Sequence, residues 1–128
     1  ISMITILQGT AREGAQSASV VSALVAHCAA ADVSVQSVKV ADFLSSPATR
    51  RLSDYPEDTG LQQWQQVVHQ STALVLVIPE YNHSLPGELK LLLDSLGRGD
   101  YQGKSVFLVT VSGGAFGGVR VADHCLPV

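Results

Sequence analysis

Residues 73–96 constrain the fold more than any other part of this 128-residue chain. They begin with residues 73–78, a short unbroken apolar run that is typical of a strand covered on both faces, as in a parallel sheet flanked by helices. Pro79 ends that strand because it has no N–H to donate. After a polar loop, leucines recur at helical spacing and predict a helix with one apolar stripe: Leu85, Leu89, Leu92, Leu93 and Leu96.

Three residues predict where this helix begins and ends. Pro86 is expected at the first helical position, since its φ is already fixed near the helical value. Glu88 then falls in the first turn, where the helix dipole favours a negative charge. Gly97 is expected as the C-cap.

The polar loop of residues 79–84 lies at the carboxyl end of the predicted strand. In open α/β sheets, ligands bind at that edge. From the pattern alone, the loop is either a ligand site or a strand-to-helix connection that happens to be polar.

A second candidate site follows the first predicted strand, residues 3–7. A Gly-containing polar loop, residues 8–17, leads there into a predicted helix, and a loop before a helix N-terminus can bind phosphate through unpaired N–H groups. Arg12 would add a permanently charged fork, and Thr10 and Ser17 would add hydroxyl donors. The alternative is a surface loop with one solvated Arg and Ser17 as a helix cap. The loop matches neither the GxGxxG nor the Walker pattern.

The run PEYNHSLPGELKLLLDSL at residues 79–96 resembles the signature of the NADPH-dependent FMN reductase family, a group of flavodoxin-like flavoenzymes. The family pattern for the first loop is roughly Gly-Ser-x-Arg-x-x-Ser-x-Asn. It falls on Gly9, Thr10, Arg12 and Ser17, and Ala15 departs from it by lacking a hydroxyl. The resemblance implies that FMN binds non-covalently, with the second loop around the flavin ring: Pro79, Glu80, Tyr81, Asn82 and His83.

The remaining segments predict the rest of an α/β order. Residues 33–40 alternate as an edge strand would, and residues 61–72 form a helix with Trp64 in the core. After a turn at residues 100–104, residues 105–111 predict another buried strand, and a helix begins at Val119. The resemblance implies that the glycine-rich loop between them lies against the flavin, through Ser112, Gly113 and Gly114.

We therefore expect a three-layer α/β/α sandwich with a parallel flavodoxin-like sheet in the order 2-1-3-4-5. Residues 3–128 are expected to form one FMN-binding domain, with the last helix and strand of that fold absent from the chain. Ile1 and Ser2 precede Met3, the expected natural start.

Composition and charge exclude several classes of protein. The net charge of −3 and a pI near 5.7 do not suggest nucleic-acid binding. No apolar run reaches membrane-spanning length. The two cysteines, Cys28 and Cys125, lack metal-site or CxxC spacing, and Cys28 is expected as a buried thiol. These features favour a cytoplasmic protein with no metal site and no membrane or nucleic-acid partner.

The resemblance also implies an activity. The implied activity is that of an NAD(P)H-dependent reductase, which accepts hydride from NADPH or NADH at flavin N5. It then reduces free flavin, a quinone, an azo compound or a metal ion by ping-pong turnover. No catalytic side chain is expected because the flavin carries the chemistry. A homodimer or dimer of dimers is implied. The alternatives are a flavodoxin-like electron carrier, a regulatory flavin-binding protein and a paralogue that has lost FMN.

Overall fold

The computed structural model describes residues 2–127 and contains four strands. The strands are β1 Ile4–Gln8, β2 Val35–Lys39, β3 Ala73–Pro79 and β4 Ser105–Val111. The α-helices are α1 Ser17–Ala30, α2 Thr59–Gln70, α3 Gly87–Asp94, α4 Arg98–Tyr101 and α5 Val119–Cys125, and a 3₁₀ turn covers Val40–Asp42. Within residues 2–127 no helix has the length and apolar character that a bilayer span requires.

All strand pairs are parallel, and the order is β2-β1-β3-β4. This order confirms the flavodoxin-like prediction for the four strands in the described part of the chain, with β2 at an edge. The buried side chains of β3 alternate between the two faces of the sheet. Leu74, Leu76 and Ile78 pack with α2 and α3, whereas Val75 and Val77 pack with α1. The apolar run of β3 therefore reflects two covered faces, as expected.

The β4 strand has the predicted bounds but not the predicted burial. Its first half is exposed, with Val106 at 50% and Phe107 at 57% of their full accessibility. In the described sheet β4 pairs only with β3, so it lies at an edge. The prediction of a buried strand was wrong because an apolar composition does not reveal what covers a strand.

The helix after β3 confirms the leucine stripe but corrects its ends. Pro86 lies at the N-cap with ψ of 138°, one residue before the first helical position. Gly97 is extended and forms the N-cap of α4, so it is not the C-cap of α3. Asp100 also belongs to α4, where a turn was predicted, and its carboxylate accepts from the N–H of Gly97 at 2.9 Å.

Two side-chain predictions had different outcomes. Trp64 is fully buried as expected, and its Nε1 donates to the hydroxyl of Tyr101 at 3.2 Å. Burial raises the pKa of Tyr101. Cys28 was expected to be buried, but it is partly exposed.

Candidate functional site

Three loops follow the carboxyl ends of neighbouring parallel strands. The first loop, residues 9–16, follows β1; the central loop, residues 80–86, follows β3; and the glycine loop, residues 112–118, follows β4. Because β3 pairs with both β1 and β4 in parallel, all three loops emerge at one edge of the sheet. This is the edge where ligands bind in open α/β sheets.

The central loop contains a tight two-residue turn. The N–H groups of Tyr81 and Ser84 each donate to the other residue's carbonyl at 3.0 Å. Between them Asn82 and His83 have φ of 50° and 64°, which is the geometry of a type I′ turn. Among the described residues, the N–H groups of Asn82 and His83 donate no backbone hydrogen bond. The turn therefore presents two backbone donors.

Glu80 fixes the central loop to the last strand and the last helix. Its N–H donates to the carbonyl of Val111 at 2.9 Å, so this donor is already used within the chain. Its carboxylate accepts from the N–H of Val121 at 3.1 Å, in the first turn of α5. His83 Nδ1 lies 3.6 Å from the same carboxylate. A carboxylate at a helix N-terminus satisfies an unpaired donor and complements the helix dipole.

The first loop is joined to the central loop by Thr10, Arg12 and Tyr81. The Thr10 hydroxyl, which is 1% exposed, lies 3.1 Å from the Tyr81 hydroxyl and also accepts from the N–H of Arg12 at 3.2 Å. The Arg12 guanidinium carbon lies 4.0 Å from the centre of the Tyr81 ring, a cation–π distance. Residues that the sequence predicted at two separate loops are thus in direct contact.

The N-terminus of α1 contains an unsatisfied hydroxyl. Ser17 is the first helical residue and is 1% exposed, and its Oγ has no hydrogen-bond partner in residues 2–127. Gln16 is the N-cap, so the alternative that Ser17 caps this helix is wrong. In the same part of the chain, the N–H groups of Gln16 and Ser17 also have no acceptor. Three donors at the start of a 14-residue helix fit an anionic group.

The glycine loop is largely exposed and is shaped by its own hydrogen bonds. Ser112 Oγ accepts from the N–H of Gly114 at 3.1 Å, whereas Gly113 has open space around its Cα. At the end of the loop Gly118 has φ of 79°, and a Cβ there would lie 2.8 Å from the Cβ of Thr110. The path of the loop into α5 therefore requires a glycine at position 118.

Sequence reasoning missed two side chains at this edge. Glu88 accepts from the Thr10 hydroxyl at 3.1 Å and from the N–H of Ala11 at 2.9 Å. His124 Nδ1 lies 2.9 Å from the hydroxyl of Ser84, which connects α5 to the central turn. Glu88 was recognised only as a first-turn acid, and no sequence signal pointed to His124.

The described residues include no group of three His, Cys, Asp or Glu side chains able to hold a metal. A cavity of about 500 Å³ lies away from the three loops, between residues 51–56 and helices α2 and α4, and none of the predicted site residues lines it. The chemistry of the loop edge is that of backbone donors, hydroxyls and one guanidinium.

Solved structures share this architecture. An NADH:FMN oxidoreductase (EmoB), solved in its apo form, superposes with a TM-score of 0.80 at 23% identity, covering 98% of this chain and 66% of that chain. The flavoenzyme FerB from Paracoccus denitrificans, an NAD(P)H:(acceptor) oxidoreductase, gives a TM-score of 0.75 at 19% identity, covering 94% and 66%. The strand order and these likenesses define a flavodoxin-like α/β protein.

The family model for NADPH-dependent FMN reductases matches residues 2–128, and the chain belongs to that family. Curated relatives include the quinone reductase of Escherichia coli K12, which is 43% identical over 60 residues, or 44% of this chain and 32% of that protein. The quinone reductase of Pseudomonas putida KT2440 is 35% identical over 78 residues, or 58% of this chain and 41% of that protein. The matched segments thus span about a third to two fifths of each relative's length.

Proposed function

We propose that this chain binds FMN across the three loops and acts as an NAD(P)H-dependent reductase of a small-molecule acceptor. The observation that carries the proposal is the buried, unpartnered Ser17 hydroxyl at the start of α1, where an anion could accept its hydrogen bond and interact favourably with the helix dipole. Family membership supports the flavin, and the names of the relatives and neighbours support a quinone, flavin or azo acceptor.

The phosphate of FMN would be held at the start of α1. Ser17 Oγ and the N–H groups of Gln16 and Ser17 are the donors without partners in the described structure. Arg12 would contribute positive charge from the first loop. Its stacking on Tyr81 joins the first loop, where the phosphate would lie, to the central loop, where the flavin ring would lie. Ala15 removes the hydroxyl that the family pattern has at that position, so fewer donors are available here than in that pattern.

The ring of FMN would lie against the central and glycine loops. Asn82 and His83 offer backbone donors to a polar ring edge. In the glycine loop, Ser112 is half-buried, Gly113 and Gly114 are exposed, and a Cβ at Gly113 would meet nothing within 4 Å, so a flat ligand could approach the backbone there. Gly9 lets the start of the first loop pack closely against β3 and α3. A Cβ there would lie 3.0 Å from the Val77 carbonyl oxygen and 3.1 Å from a Leu89 methyl carbon. Pro79 ends β3 and sets the start of the central loop.

When bound, FMN supplies the two-electron chemistry, and the residues of the chain bind and orient it. No catalytic side chain is assigned. One flavin site serving both donor and acceptor in turn is expected to give ping-pong kinetics. A cytoplasmic location stays a prediction from the composition, and a homodimer or dimer of dimers stays a prediction from the resemblance.

The proposal is tested by titrating the purified protein with FMN and riboflavin, followed by addition of NADH or NADPH. FMN is expected to bind more tightly than riboflavin, because only FMN carries the phosphate that α1 can hold. The nicotinamide is then expected to bleach the bound flavin, and turnover with a quinone should give parallel double-reciprocal plots. Equal affinity for the two flavins would contradict the phosphate assignment. FMN that stays oxidised with both donors would favour an electron carrier or a regulatory flavin-binding protein.

Replacing Arg12 with alanine is expected to weaken FMN binding by about 1.5 kcal/mol, roughly tenfold, because one hydrogen bond to a charged phosphate is lost. A hydrogen bond to a charged group is usually worth about 1.5–3 kcal/mol. We expect the lower value here because Arg12 is exposed and already stacked on Tyr81. Riboflavin affinity should stay nearly unchanged. Arg12→Lys is the matched variant because it keeps the charge but not the planar fork. Its FMN affinity should lie between those of the wild type and Arg12→Ala. A parallel loss of riboflavin binding would place Arg12 at the ring rather than at the phosphate.

A further inference from the structure

We propose that Glu88 sets how strongly this chain prefers a phosphorylated flavin, by holding a negative charge against the first loop. The inference rests on the proposed FMN site. It assigns Glu88 the effect of weakening the binding of the phosphate at that site. The geometry that supports it is a carboxylate bound to donors of the loop that leads into α1.

Glu88 reaches the first loop from the first turn of α3. Its Oε1 accepts from the Ala11 N–H at 2.9 Å and from the Thr10 hydroxyl at 3.1 Å, although 77 positions separate Ala11 from Glu88 in the sequence. Thr10 is 1% exposed and also contacts the Tyr81 hydroxyl. The carboxylate thus uses two donors that a phosphate on this loop would otherwise receive.

The charge of Glu88 has no cationic partner within 4.0 Å in the described residues. The nearby Lys90 pairs with Asp94 at 2.7 Å, and the Arg12 guanidinium stacks on Tyr81. Glu88 is also only half-buried, so solvent screens its charge in part but not completely. A phosphate held at the start of α1 would therefore experience repulsion from this carboxylate.

Two substitutions separate the charge of Glu88 from its role as an anchor. Glu88→Gln keeps the length of the side chain and an oxygen acceptor for Thr10 and Ala11 but removes the charge. Glu88→Asp keeps the charge but shortens the side chain by one methylene, so it cannot reach both donors in the same way. Both variants retain a polar group in the first turn of α3, where an acid is favourable.

The experiment measures Kd for FMN and riboflavin by fluorescence titration of the full chain at low salt. For Glu88→Gln, FMN binding should tighten about three- to tenfold, the scale of one screened charge–charge repulsion, while riboflavin changes less than about twofold. For Glu88→Asp, the preference for FMN over riboflavin should not increase. An unchanged or lower FMN preference in Glu88→Gln would overturn the inference, and so would an equal rise in Glu88→Asp.

A second measurement needs no flavin. In the NMR spectrum of the free protein, the amide proton of Ala11 should resonate downfield, since it donates to a charged carboxylate at 2.9 Å. This downfield displacement should become smaller in Glu88→Gln, because the amide oxygen is neutral, and an unchanged Ala11 resonance in that variant would contradict the contact. The outcomes also separate the two proposals. Wild-type protein that binds neither flavin would overturn both, whereas tight FMN binding with no response to Glu88→Gln would overturn only the role of Glu88.

Discussion

Replacing His83 with proline is expected to weaken FMN binding about a hundredfold, roughly 3 kcal/mol, because the substitution forces a strained backbone and removes a donor. His83 has φ of 64°, and proline fixes φ near −65°. The change also deletes one of the two turn N–H groups that have no acceptor among residues 2–127. Titration of the variant with FMN measures the loss.

His83→Gly is the matched control for that substitution. Glycine keeps the N–H and adopts positive φ without strain, so FMN affinity should stay within about threefold of wild type. The imidazole contributes little, since it is 70% exposed and 3.6 Å from the Glu80 carboxylate. Circular dichroism must show that both variants keep their helices. Equal FMN affinities for the proline and glycine variants would mean that neither the turn nor its donors hold the flavin.

The periodic parts of the fold were predictable from the sequence. The β4 bounds at Ser105–Val111, the start of β3 at Ala73 and the start of α5 at Val119 were all predicted correctly. Apolar runs and glycine or proline breaks are local signals, and local signals mark where elements begin and end. The strand order came from the family resemblance rather than from periodicity.

The errors share a physical cause, which is dependence on distant contacts. Gly97 suits either end of a helix, and only the carboxylate of Asp100 makes it the N-cap of α4. The burial of β4 depends on what pairs with its outer edge, and its sequence does not carry that information. Cys28 follows the helical spacing of α1 but lies at the margin of the covered face.

The candidate site divides in the same way. The three loops were predicted because strand ends and glycines mark them. The contacts within the site were not, since Glu88 with Ala11 and His124 with Ser84 join positions far apart in the sequence. The turn at Asn82 and His83 was also missed, because a type I′ turn is usually signalled by Asn-Gly rather than Asn-His.

Ser17→Ala is expected to weaken FMN binding without destabilising the flavin-free protein. FMN binding should weaken by about 1.5–3 kcal/mol, roughly ten- to hundredfold, because a buried hydroxyl that would bond the charged phosphate is lost. The free protein should unfold at the same or a higher denaturant concentration. Its Ser17 Oγ is buried without a partner in the described structure, and an unsatisfied hydroxyl destabilises the state that contains it. Urea unfolding of the flavin-free protein and FMN titration measure the two effects.

Ser22→Ala separates this effect from helix propensity. Ser22 lies on the same helix, is exposed, and donates to the Ala18 carbonyl at 3.1 Å. Ser22→Ala therefore reports the net effect of replacing serine by alanine at an exposed helical position, including the loss of that local hydrogen bond. Ser17→Ala should stabilise the free protein at least as much as Ser22→Ala does, and Ser22→Ala should leave FMN binding unchanged. A loss of apo stability in Ser17→Ala would show that Ser17 Oγ has a partner in solution, such as a buried water. Unchanged FMN affinity would remove Ser17 from the phosphate site, and with it the observation on which the proposed function depends.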